Sequence, residues 1–381
     1  MPAALIVGAF GQGNLGDDAL LRACASSLEG WELHATAMDE SEIPHGVHAV
    51  RRRASAVLRT VAAVDAVVFG GGTIFKRLHP ASGRKPLALL YSAGALTDAA
   101  KSARRQVAML GVGCGDLRGR AARAIARHVA LRSTLLVVRD EESAAQLVDV
   151  GVPGPVRVGA DLSWHLLAPP LAARTGRGRR VVVIPSRLAC GPGGLESMTE
   201  PLVIALDVLA EAGLDVEIRS WELPHTIASR AAEGPGAADR DDALAAEIAR
   251  RCRAVEVRET PATLEEAVET LRSASVVLTF RFHGLVAASA AGTPSVAIAH
   301  EHKITGLARR LGQTSVPPDF DGRELAGAVL RTIGAQGPDP ALVKQEIARA
   351  DEGFRLLRVL LGSDQTNESD DLGALPLRAW R

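Results

Sequence analysis

The sequence has little aromatic and little cysteine content. Phe, Trp and Tyr together make up 3% of the 381 residues, so stacking surfaces for bases or sugar rings are scarce. The four cysteines are scattered along the chain without Cys-x-x-Cys spacing: Cys24, Cys114, Cys190 and Cys252. This pattern indicates neither a zinc site nor a disulfide framework, so we expect reduced cysteines and no required metal.

Net charge is absent as well, because 44 Lys and Arg residues balance 44 Asp and Glu residues. An even balance provides no bulk attraction to nucleic acid, which is not an expected partner. The chain also lacks an apolar run of the roughly 20 residues that span a bilayer, and its amino-terminal run is too short for a secretion signal. We therefore expect a cytoplasmic protein. A basic amphipathic helix predicted over residues 117–131 fits either a solvated face or peripheral contact with the inner face of a membrane.

What the chain does contain is a regular alternation of short apolar runs and helical segments. Residues 3–9, 66–69, 181–184 and 276–278 are largely apolar runs, which are typical of strands buried on both faces of a parallel sheet. Residues 168–180 interrupt the pattern with Pro, Gly and Arg and are the best candidate linker. The sequence therefore predicts an α/β fold with two Rossmann-like βα domains.

The predicted domain boundaries follow from this linker. Residues 1–172 are expected to form the first domain and residues 173–335 the second. A helix over residues 336–361 is expected to pack back across the domains, and residues 362–381 are expected to form a flexible tail. Within the second domain, residues 231–242 are predicted to be a flexible polar loop.

Polar side chains follow two neighbouring strands predicted in the second domain. Arg281 and His283 come soon after the run 276–278 and precede an Ala-rich helix, while Glu301 and Lys303 follow the next apolar run. Because ligands bind at the carboxyl ends of strands in open parallel sheets, these positions predict a site. A hydrogen-bonded or exposed turn would explain the same residues without a ligand.

Glycine-rich turns mark the first domain. Gly11 begins a turn that leads to Asp17 and Asp18 at a predicted helix start, where the two carboxylates could serve as caps or contact hydroxyl groups of a ligand. Gly71 and Gly72 belong to a run of three glycines at a strand end. Such a run indicates close approach of a ligand or of another backbone segment.

The run that begins at Arg281 reads R-x-H-G, then a small-residue helix, G-x-P, an apolar strand and a lysine just beyond it. This run resembles the polysaccharide pyruvyl transferase family. Similar pieces occur upstream in the expected order: GAFGQGNLGDDALL at 8–21, FGGGTIF at 69–75, GVGCG at 111–115, VVRDEES at 137–143 and GADLSW at 159–164. Each piece is common by itself, whereas the ordered set is specific.

The resemblance implies the GT-B architecture, with the active site in a cleft between an acceptor-side first domain and a donor-side second domain. It implies transfer of an enolpyruvyl unit from phosphoenolpyruvate to sugar hydroxyls of a glycan, a lipid-linked saccharide or a glycosylated metabolite. The products would be a pyruvate ketal and phosphate. Phosphoenolpyruvate is then the donor substrate, a saccharide is the acceptor, and no separate cofactor is implied.

Three residues are the candidate catalytic groups: His283, Arg281 and Asp17. His283 suits protonation of the donor methylene carbon because the unperturbed pKa of histidine lies near neutrality. Arg281 can hold a carboxylate or phosphate through two hydrogen bonds. Asp17 or Glu301 is the candidate acceptor of a proton from a sugar hydroxyl.

The candidate substrate-binding residues lie in both predicted domains: Arg187, Lys303, Glu301, Gly11, Asn14, Asp18, Gly71, Gly72 and Arg139. Arg187 corresponds to an arginine that ends an apolar strand in the family, and Lys303 corresponds to a lysine that we assign to phosphate. Arg139 could bind an anion, or it could pair structurally with Asp140.

Two other functions are compatible with the sequence. A GT-B-like glycosyltransferase or nucleotide-sugar enzyme could use the same two-domain plan, although the second domain has no evident nucleotide-stacking aromatic. A non-catalytic ligand-binding homologue is the other alternative, and the retained Arg281, His283 and Lys303 argue against it. The sequence specifies neither the acceptor nor the oligomeric state.

Overall fold

The computed structural model describes residues 1–38, 40, 43–78, 84–172, 178–189, 194–222 and 241–362. The chain divides into two compact units. The first consists of residues 1–12, 17–166 and the chain from 346 onward, and the second consists of residues 13–16 and 167–345. Each unit contains one open parallel sheet with helices packed against it. The predicted α/β class with two Rossmann-like domains is therefore confirmed.

The sheet of the first unit consists of parallel strands. They are β1 (Ala3–Phe10), β2 (Glu32–Ala37), β3 (Val47–Arg51), β4 (Ala66–Gly70), β5 (Thr73–Phe75), β6 (Gln106–Cys114), β7 (Leu135–Val138) and β8 (Arg157–Val158). Their order is β3-β2-β1-β4-β6-β7-β8, with β5 paired to β6. In the central pair, Leu5 of β1 lies beside Val67 of β4, and both side chains are fully buried. These strands are apolar because helices cover both faces of the sheet.

Helices pack on both sides of this first sheet. They include α1 (Leu15–Ser27), α2 (Ala54–Ala63), α3 (Ala88–Ser102), α4 (Arg120–Arg132) and α5 (Glu141–Asp149). Helices α2 to α5 share one core, to which they contribute Val61, Leu90 and Val129. Helix α1 packs in a separate core through Leu20 and Cys24. Because alternate residues of the strands enter these two cores, the cores lie on opposite faces of the sheet.

The second unit repeats the pattern with a second parallel sheet. Its strands are β9 (Arg180–Ile184), β10 (Asp215–Arg219), β11 (Val255–Arg258), β12 (Val276–Thr279), β13 (Ser295–Ile298) and β14 (Thr314–Val316), in the order β11-β10-β9-β12-β13-β14. Its helices include α6 (Gly194–Glu211), α7 (Asp241–Arg251), α8 (Leu264–Arg272), α9 (Phe282–Ala290), α10 (His302–Arg310) and α11 (Gly322–Thr332). Val183 of β9 lies between Ile218 and Leu278, and all three are fully buried.

The last helix described, α12 (Pro340–Leu360), begins in the second unit and continues into the first. In the first unit Phe354 and Leu357 join the core on the α1 side of the sheet. A polar contact accompanies them, because Nδ1 of His165 lies 2.5 Å from an oxygen of Asp351. The second half of α12 is therefore held by both apolar burial and a side-chain hydrogen bond.

Two sequence predictions fall partly outside the described residues. The flexible tail expected at 362–381 lies outside them except for Gly362, and so does the polar loop at 231–242 except for its last two residues. At those two residues the loop prediction is wrong. Asp241 and Asp242 form the first turn of α7, and Asp241 is 1% exposed. Its carboxylate accepts hydrogen bonds from Arg281 and from the backbone N–H of Arg187.

Candidate active site

The order of the second sheet reverses between its two central strands, β9 and β12. Strands β10 and β11 lie on one side of this pair, and β13 and β14 lie on the other. The helices that follow β9 and β12 therefore leave the sheet in opposite directions and open a crevice at the strand ends, where ligands bind in doubly wound folds. Arg187 follows β9 at this edge, and Arg281 and His283 follow β12.

Arg281 is the N-cap residue of α9, and its backbone is fixed by the end of β12. Oγ1 of Thr279 accepts a hydrogen bond from the Arg281 amide at 3.1 Å and donates one to its carbonyl at 3.0 Å. The guanidinium is engaged by two carboxylates. Its Nε donates to Asp241 at 2.6 Å, and its Nη2 donates to Glu222 at 2.6 Å and also to Asp241. Arg281 thus sits in a buried cluster in which two acids face one base.

Asp241 connects this cluster to the end of β9. Its second oxygen accepts the backbone N–H of Arg187 at 2.9 Å, and its own N–H donates to Glu222 at 3.1 Å. Burial raises the pKa of Asp241, and the neighbouring Glu222 raises it further, while Arg281 opposes both effects. The cluster therefore ties together the carboxyl ends of β9, β10 and β12.

Glu222 and Asp241 were not among the residues predicted from the sequence. Glu222 lies three residues after β10, so the rule that identified Arg281 at a strand end would also have found Glu222. Asp241 follows a stretch rich in Ala and Gly without an apolar period, and no sequence signal distinguishes it from its neighbours.

The glycine-rich turn after β1 supplies a short segment to the second unit. Asn14 forms an antiparallel backbone bridge with Glu222, and the N–H of Leu15 donates to the carbonyl of Trp221 at 3.3 Å. The side-chain oxygen of Asn14 accepts the N–H of Gly16 at 3.0 Å. A Cβ atom built on Gly16 would lie only 1.9 Å from Nδ1 of His283, so the glycine backbone packs directly on the imidazole. The structure thus brings the predicted residues Asn14 and His283 together.

His283 and Lys303 both contact the ring of Phe282, and Glu301 is paired with Lys303. The imidazole of His283 packs edge-on against Phe282 with centroids 5.3 Å apart, and Nζ of Lys303 lies 5.8 Å from the centroid of the same ring. Glu301 is the N-cap residue of α10 and lies 2.5 Å from Nζ of Lys303. Burial lowers the pKa of the adjacent His300, so this imidazole is held neutral near pH 7. Lys303 is thus paired with Glu301, and His300 is uncharged.

The predicted glycines of the first unit mark the corresponding reversal of its sheet, between β1 and β4. Gly11, Gly71 and Gly72 all have left-handed backbone conformations, with φ of 65°, 81° and 76°. A Cβ on Gly71 would lie 3.0 Å from two methyl carbons of Leu20, so packing accounts for that glycine. A Cβ on Gly72 would meet nothing within 4 Å, so only its backbone conformation requires glycine.

The other predicted residues of the first unit have protein contacts. Asp17 and Asp18 lie in the first turn of α1 and are partly buried. Burial lowers the pKa of Arg52, and the charge of Asp17 opposes that shift. Arg139 is 3% exposed, and its Nε donates to Asp140 at 3.2 Å. Its Nη1 lies 3.8 Å from Asp161. Pairing within the fold accounts for Arg139, and its role as a ligand stays a prediction.

The described part of the chain contains no group of three or more His, Cys, Asp or Glu side chains placed to hold a metal ion. In the same residues no helix is long and apolar enough to cross a membrane. The site described above therefore consists of arginine, lysine, histidine and carboxylate side chains together with backbone amides.

Comparison with known proteins adds a family to this geometry. Three solved structures share the fold at low identity. UDP-GlcNAc 2-epimerase from Methanocaldococcus jannaschii is 12% identical with a TM-score of 0.58, and the match covers 95% of this chain and 100% of that one. A putative UDP-N-acetylglucosamine 2-epimerase from Listeria monocytogenes is 11% identical with a TM-score of 0.60, and the match covers 95% of this chain and 97% of that one. Anabaena Alr3699/HepE in complex with UDP-glucose is 12% identical with a TM-score of 0.53, and the match covers 96% of this chain and 100% of that one. The epimerases have the GT-B fold, in agreement with two Rossmann-like domains.

No curated protein matches the sequence. The model of one family, described as polysaccharide pyruvyl transferase, matches residues 14–302, from the Asn14 segment to the first residue of α10. That span includes His283, Arg281 and the acidic residues bound to Arg281. Since the match covers most of the chain, the protein belongs to the polysaccharide pyruvyl transferase family.

Proposed function

We propose that the protein transfers the enolpyruvyl unit of phosphoenolpyruvate to hydroxyls of a saccharide, which forms a pyruvate ketal and releases phosphate. The observation that carries the proposal is the position of His283. This histidine lies in the first turn of α9, beside the sheet reversal of the second unit, with its ring held between Gly16 and Phe282. Membership of the family supports transferase chemistry at such a site.

His283 acts as the general acid. It donates a proton to the methylene carbon of phosphoenolpyruvate, which leaves an oxocarbenium-like centre at the neighbouring carbon. The first sugar hydroxyl forms a C–O bond to that centre, and its proton restores the imidazolium. The C–O bond to phosphate then breaks, the second hydroxyl closes the ketal ring, and its proton leaves with the phosphate. The atoms and charges of these two substrates balance without an oxidant or a third substrate.

Anion binding falls to the groups around His283. Nζ of Lys303 lies over the ring of Phe282, which also contacts the imidazole, and Arg187 lies three residues after β9. The first turn of α9 has no side-chain cap, so its backbone N–H groups also point towards an anion at this helix start. Arg281 already binds Asp241 and Glu222, and we assign it a positioning role that holds the three strand ends together.

A nucleotide-sugar enzyme is the second candidate. The structures that share this fold include UDP-GlcNAc 2-epimerase in complex with UDP-GlcNAc and UDP, and HepE in complex with UDP-glucose. A sugar nucleotide is therefore a reasonable probe, either as the acceptor of pyruvyl transfer or as the donor of a different reaction.

Thermal unfolding with ligands separates the two candidates, because a ligand that binds only the native state raises its stability. We expect phosphoenolpyruvate to raise the melting temperature, and stabilisation would be about 2.7 kcal/mol at a hundred-fold excess over Kd. The Lys303→Met variant should lose this response. His283→Gln should keep the response but should release no phosphate from phosphoenolpyruvate when a panel of saccharides is supplied.

Two exposed residues serve as matched controls. Lys344→Met and His45→Gln change the same residue types at exposed positions, and both should respond to phosphoenolpyruvate as the wild type does. Stabilisation by UDP-sugars alone, with no effect of phosphoenolpyruvate, would contradict pyruvyl transfer and favour the nucleotide-sugar enzyme.

A further inference from the structure

The charge of the first unit is strongly one-sided between the end of β3 and the end of α4. Residues 51–132 contain 16 Lys and Arg residues against three acidic residues, Asp65, Asp98 and Asp116. The whole chain has no net charge, so an excess of 13 positive charges here is balanced elsewhere. A balanced total thus conceals a strongly basic part of the protein, and such local charge determines association with polyanions.

The three helices of this basic stretch lie on one face of the first sheet. Helices α2, α3 and α4 bury their apolar residues in the same core, and α3 contacts both of its neighbours. A Cβ on Gly94 of α3 would lie 3.7 Å from Ile125 of α4, which shows how closely these two helices pack. The three helices therefore lie side by side, and their outward sides form one surface.

Arginines that the fold does not use lie at the starts and on the outward sides of these helices. Arg53, Arg59 and Arg120 are exposed, and none of the three has an ion-pair partner among the residues that the structure describes. Two other arginines of α4 are paired: Arg123 binds Asp149 and Arg132 binds Asp98. The unpaired arginines are consequently available to an external anion.

Two apolar side chains project from the same helices. Leu58 of α2 is 49% exposed and Tyr91 of α3 is 59% exposed. Their helices bury other residues, such as Val61 and Leu90, so the exposed pair faces away from the core. Exposed leucine and tyrosine next to unpaired arginines are typical of helices that lie at a bilayer surface. Binding of nucleic acid would instead favour several stacking aromatics, and these are scarce.

We propose that this surface, formed by Arg53, Leu58, Arg59, Tyr91 and Arg120, docks the first unit onto an anionic bilayer. The arginines would contact lipid headgroup phosphates, while Leu58 and Tyr91 would enter the headgroup region. This docking does not depend on the proposed reaction. It would bring the protein to the surface where lipid-linked saccharides reside.

Co-sedimentation with lipid vesicles tests the docking surface. We expect the wild type to bind vesicles of phosphatidylcholine mixed with phosphatidylglycerol and not vesicles of phosphatidylcholine alone. The triple variant Arg53→Gln, Arg59→Gln, Arg120→Gln should bind the anionic vesicles about a hundred-fold more weakly, since each basic residue near the surface contributes about five-fold. High salt should weaken wild-type binding because it screens exposed charges.

A second triple variant controls for net charge. Arg309→Gln, Arg323→Gln, Arg331→Gln removes the same three charges from exposed positions of the second unit, and it should bind the anionic vesicles as the wild type does. The pair Leu58→Ser, Tyr91→Ser should reduce the binding that persists at high salt. All variants should melt within a few degrees of the wild type, because the changed side chains are exposed.

Three results would overturn the proposal. The first is absence of wild-type binding to anionic vesicles, and the second is equal loss in both triple variants. The third is binding of single-stranded RNA through the same arginines at least as tightly as vesicles, which would assign the surface to nucleic acid. Because the readout is vesicle binding, failure here would leave the pyruvyl transfer proposal intact, and failure of that proposal would leave this one intact.

Discussion

At the scale of single residues, Gly16 links the packing of the fold to the position of His283, the proposed general acid. A methyl group there would lie 1.9 Å from Nδ1 of His283, so Gly16→Ala must displace the imidazole or the backbone. We expect turnover to fall about a hundred-fold, because catalysis is sensitive to displacements of about 1 Å. Overpacking should also lower the free energy of unfolding by about 1–3 kcal/mol.

Gly306→Ala is the control for that change. Gly306 lies within α10, and its nearest prospective contact is the end of the Arg310 side chain at 3.7 Å. Alanine there should leave turnover unchanged and should stabilise the protein by about 0.5–1 kcal/mol, since glycine is unfavourable inside a helix. Equal turnover in both variants, measured as phosphate release, would show that the position of His283 is not critical.

Single residues of the site differ in how far the sequence predicts them. His283, Lys303 and Asn14 follow strands or belong to a glycine-rich turn, and the structure brings these three into the second unit. Arg281 was predicted as a ligand group, whereas its described contacts are two carboxylates. Sequence spacing identifies the strand end that carries a side chain, but it does not identify the partner, because Asp241 reaches Arg281 across 40 residues.

At the scale of elements, the strands at the centre of each sheet are the easiest to predict. The central strands β1, β4, β9 and β12 are buried on both faces and therefore appear as apolar runs that the sequence reveals. The strand β3 at the edge of the first sheet, with the sequence VHAVR, was not predicted because only one of its residues is buried. The three-residue strand β14 was missed for the same reason, since none of its residues is buried.

The start of α11 allows a test of how much a side-chain cap stabilises a helix. The carboxylate of Asp321 accepts hydrogen bonds from the N–H groups of Arg323 at 2.8 Å and Glu324 at 3.1 Å, which caps α11. We expect Asp321→Ala to lower the free energy of unfolding by about 1 kcal/mol in urea denaturation. Asp319→Ala, two residues earlier and exposed, should change it by less than about 0.5 kcal/mol. Equal effects of both substitutions would mean that the cap does not stabilise the helix.

At the scale of the whole molecule, overall composition conceals how charge is distributed. Equal numbers of acidic and basic residues argued against a polyanionic partner, yet the excess of 13 positive charges in residues 51–132 resides on one part of the first unit. Topology accounts for the difference, because consecutive helices on one sheet face gather side chains that are far apart in sequence. Charge counted per element is therefore more informative than charge counted per chain.

The response of the molecule to acid follows from two buried acidic residues, one in each unit. Burial opposes ionisation of Asp140, but Arg139 and Ser143 outweigh this effect and the net pKa is lowered. Burial likewise opposes ionisation of Glu217, and hydrogen bonds from Arg180 and Arg219 lower its pKa. A lowered pKa in the folded state means that each group stabilises the fold above its unfolded pKa of about 4 and loses that contribution as pH falls through the folded value.

We therefore expect the melting temperature to be nearly constant from pH 7 to about pH 5 and to fall progressively below about pH 4. Asp140→Asn and Glu217→Gln should melt at lower temperature than the wild type at pH 7, and they should lose less stability in acid, because the amides do not titrate. Asp241 has the opposite effect on the free energy of unfolding. Because its pKa is raised in the folded state, it stabilises the fold at low pH, and this stabilisation is lost as pH rises. The exposed control Asp319→Asn should follow the wild-type profile. If the two amide variants instead run parallel to the wild type from pH 7 to pH 3, these ion pairs do not control acid unfolding.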